Sequence, residues 1–507
     1  MKTFTVIIVL AALISGCNTA EKATQTSYLE KNRPQFHFSP KEKWMNDPNG
    51  MVYHEGIYHL FFQYYPDSTV WGPMHWGHAT SKDLVHWDEQ PIALYPDSLG
   101  YIFSGSAVVD SNNTSGLGKD GKVPLVAIFT HHDPKGEKAG TSNYQNQSLA
   151  YSLDNGATWT KYTGNPALKN PGITDFRDPK VSWYAPSKRW IMTLATKDRI
   201  SFYSSANLKD WKKESEFGQE VGGHGGVWEC PDLFPLQIDG KTAWVLLVSI
   251  NPGGPNGGSA TQYFVGNFDG VKFTPFNTAT KWVDYGTDNY AGVTWSNTGE
   301  RKIFLGWMSN WQYANVVPTD RWRSAMTVPR ELNLKKSGQD YFLTSQPVKE
   351  LNTIKSNDVS FENIEVQGGF NLSQKLKSSD SQYQIKLSAE QLKSFSIVLS
   401  NDIGEELSIG YDKKTNQYYI DRTKSGKNDF EKGFAKKYLG PRLSDSEKAD
   451  LTLIVDAASV ELFADDGLTA MTGIFFPTKP LNQIQIKSTD SFFINKLNYS
   501  VMNRIWK

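Results

Sequence analysis

Apolar residues along this chain occur in short runs that are rich in β-branched and aromatic side chains. Gly, Asn, Asp or Pro ends most of these runs after a few residues, and apolar residues at helical spacing are scarce. Strands produce alternation or short buried runs, whereas amphipathic helices repeat every three to four residues. The pattern therefore predicts an all-β protein.

Five segments share one plan, in which a short strand, a polar turn and a second apolar strand follow one another. They begin at Met51, Ala107, Lys180, Leu233 and Val293. Their starts recur every 53 to 73 residues, which is the period of a propeller blade with loops of variable length. The repeat predicts a five-bladed β-propeller.

The residues just before each of these hairpins are polar, where a purely structural repeat would have small or apolar side chains. They include Asp47, Ser104, Arg177 with Asp178, Glu229, and Asp288 with Asn289 and Tyr290. If the repeats superpose, these segments begin the innermost strands and meet at one end of the central channel. A ring of polar groups is costly to bury unless it meets a ligand, so we expect a binding site there.

Convergent carboxylates with flanking aromatic residues, and no nucleotide-binding signature, are typical of glycoside hydrolysis. One carboxylate attacks the anomeric carbon, and a second, protonated one donates to the departing oxygen. Asp47 lies between Asn46 and a Pro-Asn-Gly turn, whose N–H groups would hold the carboxylate ionised. This position favours Asp47 as the nucleophile.

The other two carboxylates have different neighbours. Trp228 and Cys230 flank Glu229, and we expect desolvation to raise the pKa of its carboxyl, as a general acid requires. Asp178 follows Arg177, whose charge would keep Asp178 ionised while both side chains hold sugar hydroxyls. The pair is predicted to stabilise without transferring a group. The chemistry requires no metal and no cofactor.

The chain resembles glycoside hydrolase family 32, the β-fructosidases that include invertases, inulinases and levanases. The motifs run from Arg33 to Leu332 in the family's order. They are WMNDPNG (44–50), FFQYYP (61–66), WGPMHWGHATSKDLVHW (71–87), FSGSAVVD (103–110), FRDPKV (176–181), WECPDLF (228–234) and a long stretch at 289–332.

The resemblance implies a five-bladed β-propeller followed by a β-sandwich, and a retaining mechanism through a covalent fructosyl-enzyme. Asp47 falls on the family's nucleophile, Glu229 on its acid/base and Asp178 on its transition-state stabiliser. Positions that bind the fructosyl unit fall on Asn46, Gln63, Trp71, Phe103, Ser104 and Arg177. The fifth blade is expected to supply an aromatic wall, with Trp307 and Trp311 as candidates.

The function expected from the resemblance is hydrolysis of a fructan, levan or inulin, with sucrose as a further substrate and exo-action favoured. The alternatives are an endo-levanase of the same family, a fructosyltransferase, and a non-catalytic fructan-binding lipoprotein, which should lack a complete carboxylate pair. WMNDPNG argues against an inverting, arabinan-type enzyme on a related propeller. With 53 basic and 53 acidic residues the formal net charge is zero, which excludes nucleic acid as a partner.

The N-terminus carries Lys2, a short apolar run and the sequence Ile14-Ser15-Gly16-Cys17. The run is too short to span a bilayer but fits a secretory signal. The last four residues resemble a bacterial lipoprotein signal, which implies a lipid on Cys17 and an enzyme exported across the inner membrane. It would be anchored to a membrane on the periplasmic side or at the cell surface. An ordinary cleaved signal is the alternative.

The predicted organisation has five parts. Residues 1–17 form the signal, 18–32 a tether, 33–340 the propeller, 341–360 a linker and 361–507 the β-sandwich. In the last part, alternating runs such as YQIKLSA and LTLIVDAASVELFADDG predict antiparallel strands with one buried face. Asp456 and Glu461 are expected to be structural or to contact the propeller.

Overall fold

A computed structural model describes residues 28–376 and 381–506. The predicted signal, Cys17 and residues 18–27 of the predicted tether lie outside the described residues. Within the two described ranges, no helix has the length and apolar character needed to cross a membrane.

Five sheets form the N-terminal region, each with four antiparallel strands, and two of the sheets have an additional short strand. The first two blades contain β1 (Lys43–His54), β2 (Ile57–Tyr65), β3 (His75–Ser81), β4 (Asp88–Leu94), β5 (Tyr101–Val109), β6 (Leu125–His132), β7 (Gln145–Ser152) and β8 (Thr160–Lys161). A short helix, α1 (Pro134–Lys138), follows β6.

The third and fourth blades contain β9 (Phe176–Tyr184), β10 (Arg189–Thr196), β11 (Arg199–Ser205), β12 (Lys212–Phe217), β13 (Val227–Ile238), β14 (Lys241–Asn251), β15 (Ala260–Phe268), β16 (Phe273–Pro275) and β17 (Lys281–Trp282). A 3-10 helix at Ala185–Ser187 joins β9 to β10.

The fifth blade follows with β18 (Tyr290–Thr294), β19 (Lys302–Trp307), β20 (Trp322–Arg323), β21 (Arg330–Ser337) and β22 (Asp340–Pro347). Of these strands, β20 does not belong to the sheet of the fifth blade: it pairs in parallel with β1 of the first blade. The inner strands β1, β5, β9, β13 and β18 contact one another in that order, and β18 contacts β1. The predicted five-bladed propeller is confirmed.

Ten strands form the C-terminal region. They are β23 (Lys355–Asn371), β24 (Tyr383–Ala389), β25 (Phe395–Ser400), β26 (Glu406–Asp412), β27 (Gln417–Lys424), β28 (Lys437–Pro441), β29 (Ala449–Asp456), β30 (Ser459–Ala464), β31 (Thr469–Ile474) and β32 (Gln483–Met502). A short helix, α2 (Leu372–Leu376), follows β23.

The long strand β32 joins the two halves of this region. It pairs with β25 through residues 483–487 and with β24 through residues 496–501, while β23 pairs along its length. Apolar side chains from both halves, among them Leu387, Leu399 and Leu453, pack into one buried core. The region is the predicted β-sandwich.

Two predicted connecting segments are folded. The segment 341–360, predicted as a linker, contains most of β22, which pairs with β21 as the outer strand of the fifth blade, and the start of β23. Only Val348 and a 3-10 helix at Lys349–Ile354 lie between these strands. An outer strand exposes one face to solvent, so its polar residues resemble those of a linker. Residues 28–32 of the predicted tether are ordered as well, because Tyr28 stacks on Trp506 at 3.9 Å.

A buried network of charges joins the propeller to the sandwich. The His37 ring lies 2.7 Å from Asp456 and 2.8 Å from Glu461 through its two nitrogens. Arg330 bridges Glu461 and Asp284. Burial opposes protonation of His37, but its hydrogen bonds to the two carboxylates outweigh this and raise its pKa to about 9. Asp456 and Glu461 therefore contact the propeller, as expected.

Candidate active site

A cavity of about 220 Å³ opens where the inner strands of the propeller begin. Ten of the eleven side chains predicted for the site line it, and Trp307 does not. The lining residues are Asn46, Asp47, Gln63, Trp71, Phe103, Ser104, His132, Glu137, Gln145, Asp175, Arg177, Asp178, Glu229 and Trp311. A larger groove of about 680 Å³ between the fifth blade and the sandwich contains none of the three predicted catalytic carboxylates, so size alone does not identify the site.

Each inner strand has an irregular register where its site residue lies. The pairing with the second strand of the blade shifts between Met45 and Pro48, between Ile102 and Gly105, and between Glu229 and Asp232. The third and fifth blades show the same shift beside Arg177 and after Tyr290. Bulges of this kind re-aim side chains.

Proline marks three of these irregularities in the sequence. Pro48 follows Asp47, Pro179 follows Asp178, and Pro231 lies two residues after Glu229. Proline has no N–H for the ladder, so it supports a break in the pairing at the point where a carboxylate turns toward the channel.

Asp47 is held by side chains from two blades. Asn46 Nδ2 donates to Asp47 Oδ1 at 2.9 Å, and Ser104 Oγ donates to Oδ2 at 2.8 Å. Trp44 Nε1 in turn donates to Asn46 Oδ1 at 2.7 Å. These contacts fix the carboxylate, as a nucleophile requires.

Glu229 is bound by a cation and a hydroxyl. Arg177 donates to Glu229 Oε1 at 2.9 Å, and the Tyr290 hydroxyl donates to Oε2. Its sequence neighbours face elsewhere: Trp228 is fully buried among core residues, and the Cys230 thiol lies 3.5 Å from Asp47 Oδ2. That Trp228 and Cys230 set the environment of the Glu229 carboxyl stays a prediction. The groups that contact this carboxyl are Arg177 and Tyr290, which come from other blades.

The electrostatics of the other two carboxyls also differ from expectation. Burial raises the pKa of Asp47, repulsion from Glu229 adds to the shift, and the hydrogen bonds from Asn46 and Ser104 only partly offset it. Burial likewise raises the pKa of Asp178 to about 7, with Arg177 opposing the shift. Arg177 Nε lies 4.0 Å from Asp178 Oδ2, because the guanidinium is directed at Glu229 and Asp175.

The aromatic wall of the cavity contains Trp311, whereas Trp307 is fully buried behind it with its ring centroid 4.9 Å away. Trp311 stacks on Trp44 at 5.9 Å. On the other side, Trp71 meets the edge of the Phe103 ring at 6.1 Å and is 40% exposed. Two aromatic surfaces therefore flank the carboxylates, as sugar rings require.

The ring of polar residues predicted from the repeats included Asp288, Asn289 and Tyr290. Tyr290 contacts Glu229, whereas Asp288 and Asn289 are buried and do not line the cavity.

The sequence motifs did not single out His132, Glu137, Gln145 and Asp175. His132 ends β6 and Gln145 begins β7. Both were missed because the prediction from the repeats considered only the residues at the start of the inner strands. The His132 ring stacks on Phe103 at 4.2 Å, accepts from Gln145 Nε2 at 3.3 Å, and directs Nε2 at Glu137, 3.2 Å away.

Two buried polar atoms at the cavity have no hydrogen-bond partner among the residues that the structure describes. They are Gln63 Nε2, a donor, and Gln145 Oε1, an acceptor. Buried polar groups are normally satisfied, so both atoms are available to the hydroxyls of a bound sugar.

Comparison with known families covers both regions of the chain. The model of the glycosyl hydrolases family 32 N-terminal domain matches residues 37–347, and the model of the family's C-terminal domain matches residues 350–501. Two curated relatives are similar over almost all of the chain. The levanase of Bacillus subtilis (strain 168) is 45% identical over 515 residues, covering 99% of this chain and 75% of the levanase. The extracellular exo-inulinase of Aspergillus niger is 42% identical over 520 residues, covering 95% of this chain and 96% of the inulinase.

Solved structures share the whole architecture. The exo-inulinase from Aspergillus awamori superposes with a TM-score of 0.86 at 38% identity, covering 94% of this chain and 100% of that one. The β-fructofuranosidase from Schwanniomyces occidentalis, complexed with fructosyl-erythritol, gives a TM-score of 0.85 at 35% identity, covering 95% and 99%.

Proposed function

The chain belongs to glycoside hydrolase family 32 and is a glycoside hydrolase, and we propose that it cleaves β-fructofuranosidic bonds of fructans with retention of configuration. One observation carries the proposal. Asp47, Asp178 and Glu229 come from three blades and line one open cavity with two aromatic surfaces. Two convergent carboxylates of unequal environment are what this reaction needs.

In the proposed reaction, Asp47 attacks the anomeric carbon while Glu229 gives its proton to the departing oxygen. Asn46 and Ser104 aim the nucleophile. Glu229 Oε1 is occupied by Arg177, so we assign the transferable proton to Oε2, beside the Tyr290 hydroxyl. Glu229 then takes a proton from water, which attacks the fructosyl-enzyme and releases Asp47.

We assign Asp178 and Arg177 to the fructosyl hydroxyls, because both line the cavity and both fall on positions to which the resemblance to family 32 gives a stabilising or sugar-binding role. Gln63 and Gln145 supply the unpaired donor and acceptor described above. Asp47 must be ionised and Glu229 protonated, so activity should follow a bell-shaped pH profile whose acidic limb reports Asp47.

We propose polymeric or oligomeric fructan as the substrate, levan or inulin, with exo-action. Support comes from the activities of the relatives, a levanase and an exo-inulinase, and from a cavity of only about 220 Å³. Digestion of levan and of inulin, with products sized over time, tests this. Free fructose alone supports exo-action, a ladder of oligosaccharides supports the endo-levanase alternative, and longer products at high sucrose support a fructosyltransferase.

The covalent step has its own test. Glu229→Ala with p-nitrophenyl β-fructofuranoside should accumulate an enzyme heavier by one anhydrofructose unit, and azide should release fructosyl azide of retained configuration. Asp47→Ala, as the matched control, should give neither product. An inverted product would contradict the mechanism, and a wild-type protein that binds inulin without turnover would support the fructan-binding lipoprotein.

We further propose that the protein is exported, carries a lipid on Cys17 and acts at a membrane surface. The relative from Aspergillus niger is described as extracellular. Fractionation of cells that express wild type or Cys17→Ser decides the point. The wild type should sediment with membranes and the variant should not, whereas equal solubility would support an ordinary cleaved signal.

A further inference from the structure

We propose that the β-sandwich positions the aromatic wall of the sugar cavity, and that Tyr313 and Arg422 are the positioning residues that transmit this effect to Trp311. The proposal rests on the proposed function for its kinetic consequence only. Its structural consequence can be measured without turnover.

Three buried polar side chains connect the two regions at this point. The Tyr313 hydroxyl donates to Asp288 Oδ1 at 2.5 Å. Arg422, on β27 of the sandwich, donates to Asp288 Oδ2 at 2.8 Å and to the Tyr313 hydroxyl at 2.9 Å. All three residues are at most 1% exposed, so the bonds are shielded from water and stronger than at a surface.

The Arg422 guanidinium is itself held rigidly by the sandwich. It donates to the backbone oxygens of Phe434 at 2.7 Å and Ile474 at 2.9 Å. It also lies over the Phe434 ring, 3.7 Å from the centroid. An arginine fixed on so many sides is a template for its partners rather than a mobile counter-ion.

Apolar contacts surround this polar link. One buried cluster combines propeller side chains from the segment after β19 with sandwich side chains. Its members are Met308, Tyr313, Val317, Ala325, Phe434, Ala458, Ile474 and Phe476. Apart from β20, which pairs with β1 of the first blade, the segment from 308 to 325 is therefore packed against the sandwich.

That segment carries Trp311. Tyr313 N donates to Asn310 O at 3.1 Å, and Asn310 Nδ2 donates to Thr287 O at 2.8 Å, so the turn containing Trp311 is closed at both ends. Trp311 stacks on Trp44, which holds the Asn46 side chain beside Asp47. A shift of the turn therefore moves the wall of the cavity.

The same segment also supports the opposite aromatic surface. Asn315 Oδ1 accepts from Trp71 N at 2.9 Å. Since placement errors well below the size of an atom reduce binding of a rigid sugar, loosening of the segment should weaken substrate binding more than the chemical step.

The sandwich contains a matched control with the same chemistry. The Tyr418 hydroxyl donates to Asp465 Oδ2 at 2.8 Å, and Arg442 Nε donates to the Tyr418 hydroxyl at 3.3 Å. Tyr418 is fully buried, like Tyr313. Neither Tyr418 nor Arg442 lines the sugar cavity.

The experiment compares Tyr313→Phe with Tyr418→Phe in the full chain. Both should lower Tm, because each removes one buried hydroxyl from an Asp–Arg group. Only Tyr313→Phe should raise KM for inulin, by about three- to tenfold with kcat changed less than about twofold. Equal KM values for the two variants would overturn the proposal.

A spectroscopic readout is independent of turnover. In protein labelled with 5-fluorotryptophan, the Trp311 resonance is identified among the 16 tryptophans by its loss in Trp311→Phe. It should shift or broaden in Tyr313→Phe and in Arg422→Lys, and should be unchanged in Tyr418→Phe. An unchanged Trp311 resonance in the first two variants would overturn the proposal even if the protein proved not to hydrolyse fructan.

Discussion

Two regions of this protein bury several carboxylates, and the regions differ in how many cationic side chains accompany them. At the interface between propeller and sandwich, each buried acid has a cationic partner. The pairs are His37 with Asp456 and Glu461, Arg330 with Asp284 and Glu461, and Arg422 with Asp288. The cavity has five carboxyl groups and a single arginine, namely Asp47, Glu137, Asp175, Asp178, Glu229 and Arg177.

The direction of the pKa shifts follows from this difference. At the interface Glu461 is buried, yet Arg330 and His37 outweigh the effect of burial and lower its pKa. In the cavity, burial and mutual repulsion raise the pKa values of Asp47 and Asp178. The paired charges at the interface stabilise the folded state. The cavity carboxylates lower the stability of the folded state and are retained because the chemistry requires them.

The largest expected effect is the loss of activity in Asp47→Asn without loss of stability. Removing the nucleophile should lower kcat on sucrose by about 10⁴-fold. Because the lost charge is repelled by Glu229, Tm at pH 7 should stay equal or rise. Steady-state kinetics and a thermal melt measure both. A fall in Tm would show that the cavity carboxylates stabilise the fold and would remove the contrast.

Glu461→Gln makes the same kind of change, a carboxylate to an amide, at the interface, and we expect the opposite result: a loss of stability with little loss of activity. It leaves His37 and Arg330 without a shared counter-charge in a dry site, so the free energy of unfolding should fall by about 3–5 kcal/mol. Urea unfolding measures this. Activity of the remaining folded protein should stay within about threefold of wild type; a much larger loss would connect this part of the interface to the cavity.

The position of the cavity carboxylates was accessible from the sequence, because it depends on repeat position. Five hairpins of similar spacing located the inner strands, and Asp47, Asp178 and Glu229 lie near the start of three of them. The resemblance to family 32 added Asn46, Gln63, Trp71 and Phe103 to the predicted lining. Trp311 could not be chosen over Trp307, because the segment after β19 takes its path from packing against the sandwich, which no local pattern records.

The charge environment was not accessible in the same way. Neighbours along a strand face away from each other, so Trp228 says little about Glu229, while Arg177 and Tyr290 reach Glu229 from other blades. His132 and Gln145 were missed because they lie on the second and third strands of a blade. Predicting contacts between blades requires the register and twist of every sheet.

Asp178→Asn sharpens the comparison through pH. The folded-state pKa of Asp178 is raised from 3.8 to about 7, so the folded protein binds this proton more tightly than the unfolded chain. Stability contributed by Asp178 is therefore present near pH 4 and lost as pH rises to 7. Relative to wild type, Asp178→Asn should gain on the order of 2 kcal/mol at pH 8 and almost nothing at pH 4. Urea unfolding at both pH values measures the gain; equal gains would contradict the raised pKa.

His37 should give a pH dependence in a different window. Its folded-state pKa is raised from 6.5 to about 9, so its stabilising charge is fully present below pH 6.5 and is lost as pH rises through 9. Wild type should lose on the order of 1–2 kcal/mol across this window, and His37→Gln, less stable throughout, should lose less. Parallel curves for the two proteins would show that other groups titrate there.

The smallest expected effect lies at the rim of the cavity, where Glu137 is 55% exposed. The excess of carboxylates should disfavour an anionic substrate, so sucrose 6-phosphate should be cleaved more slowly than sucrose, and the more so at low salt. Glu137→Gln should raise the ratio of the two kcat/KM values by only about two- to threefold at low ionic strength, since water and salt screen an exposed charge. Glu390→Gln, on the sandwich surface beside Lys448, is the control and should leave the ratio unchanged.

If Glu137→Gln lowers both rates equally, Glu137 acts by holding His132 against Phe103, and the selectivity comes from the deeper carboxylates alone.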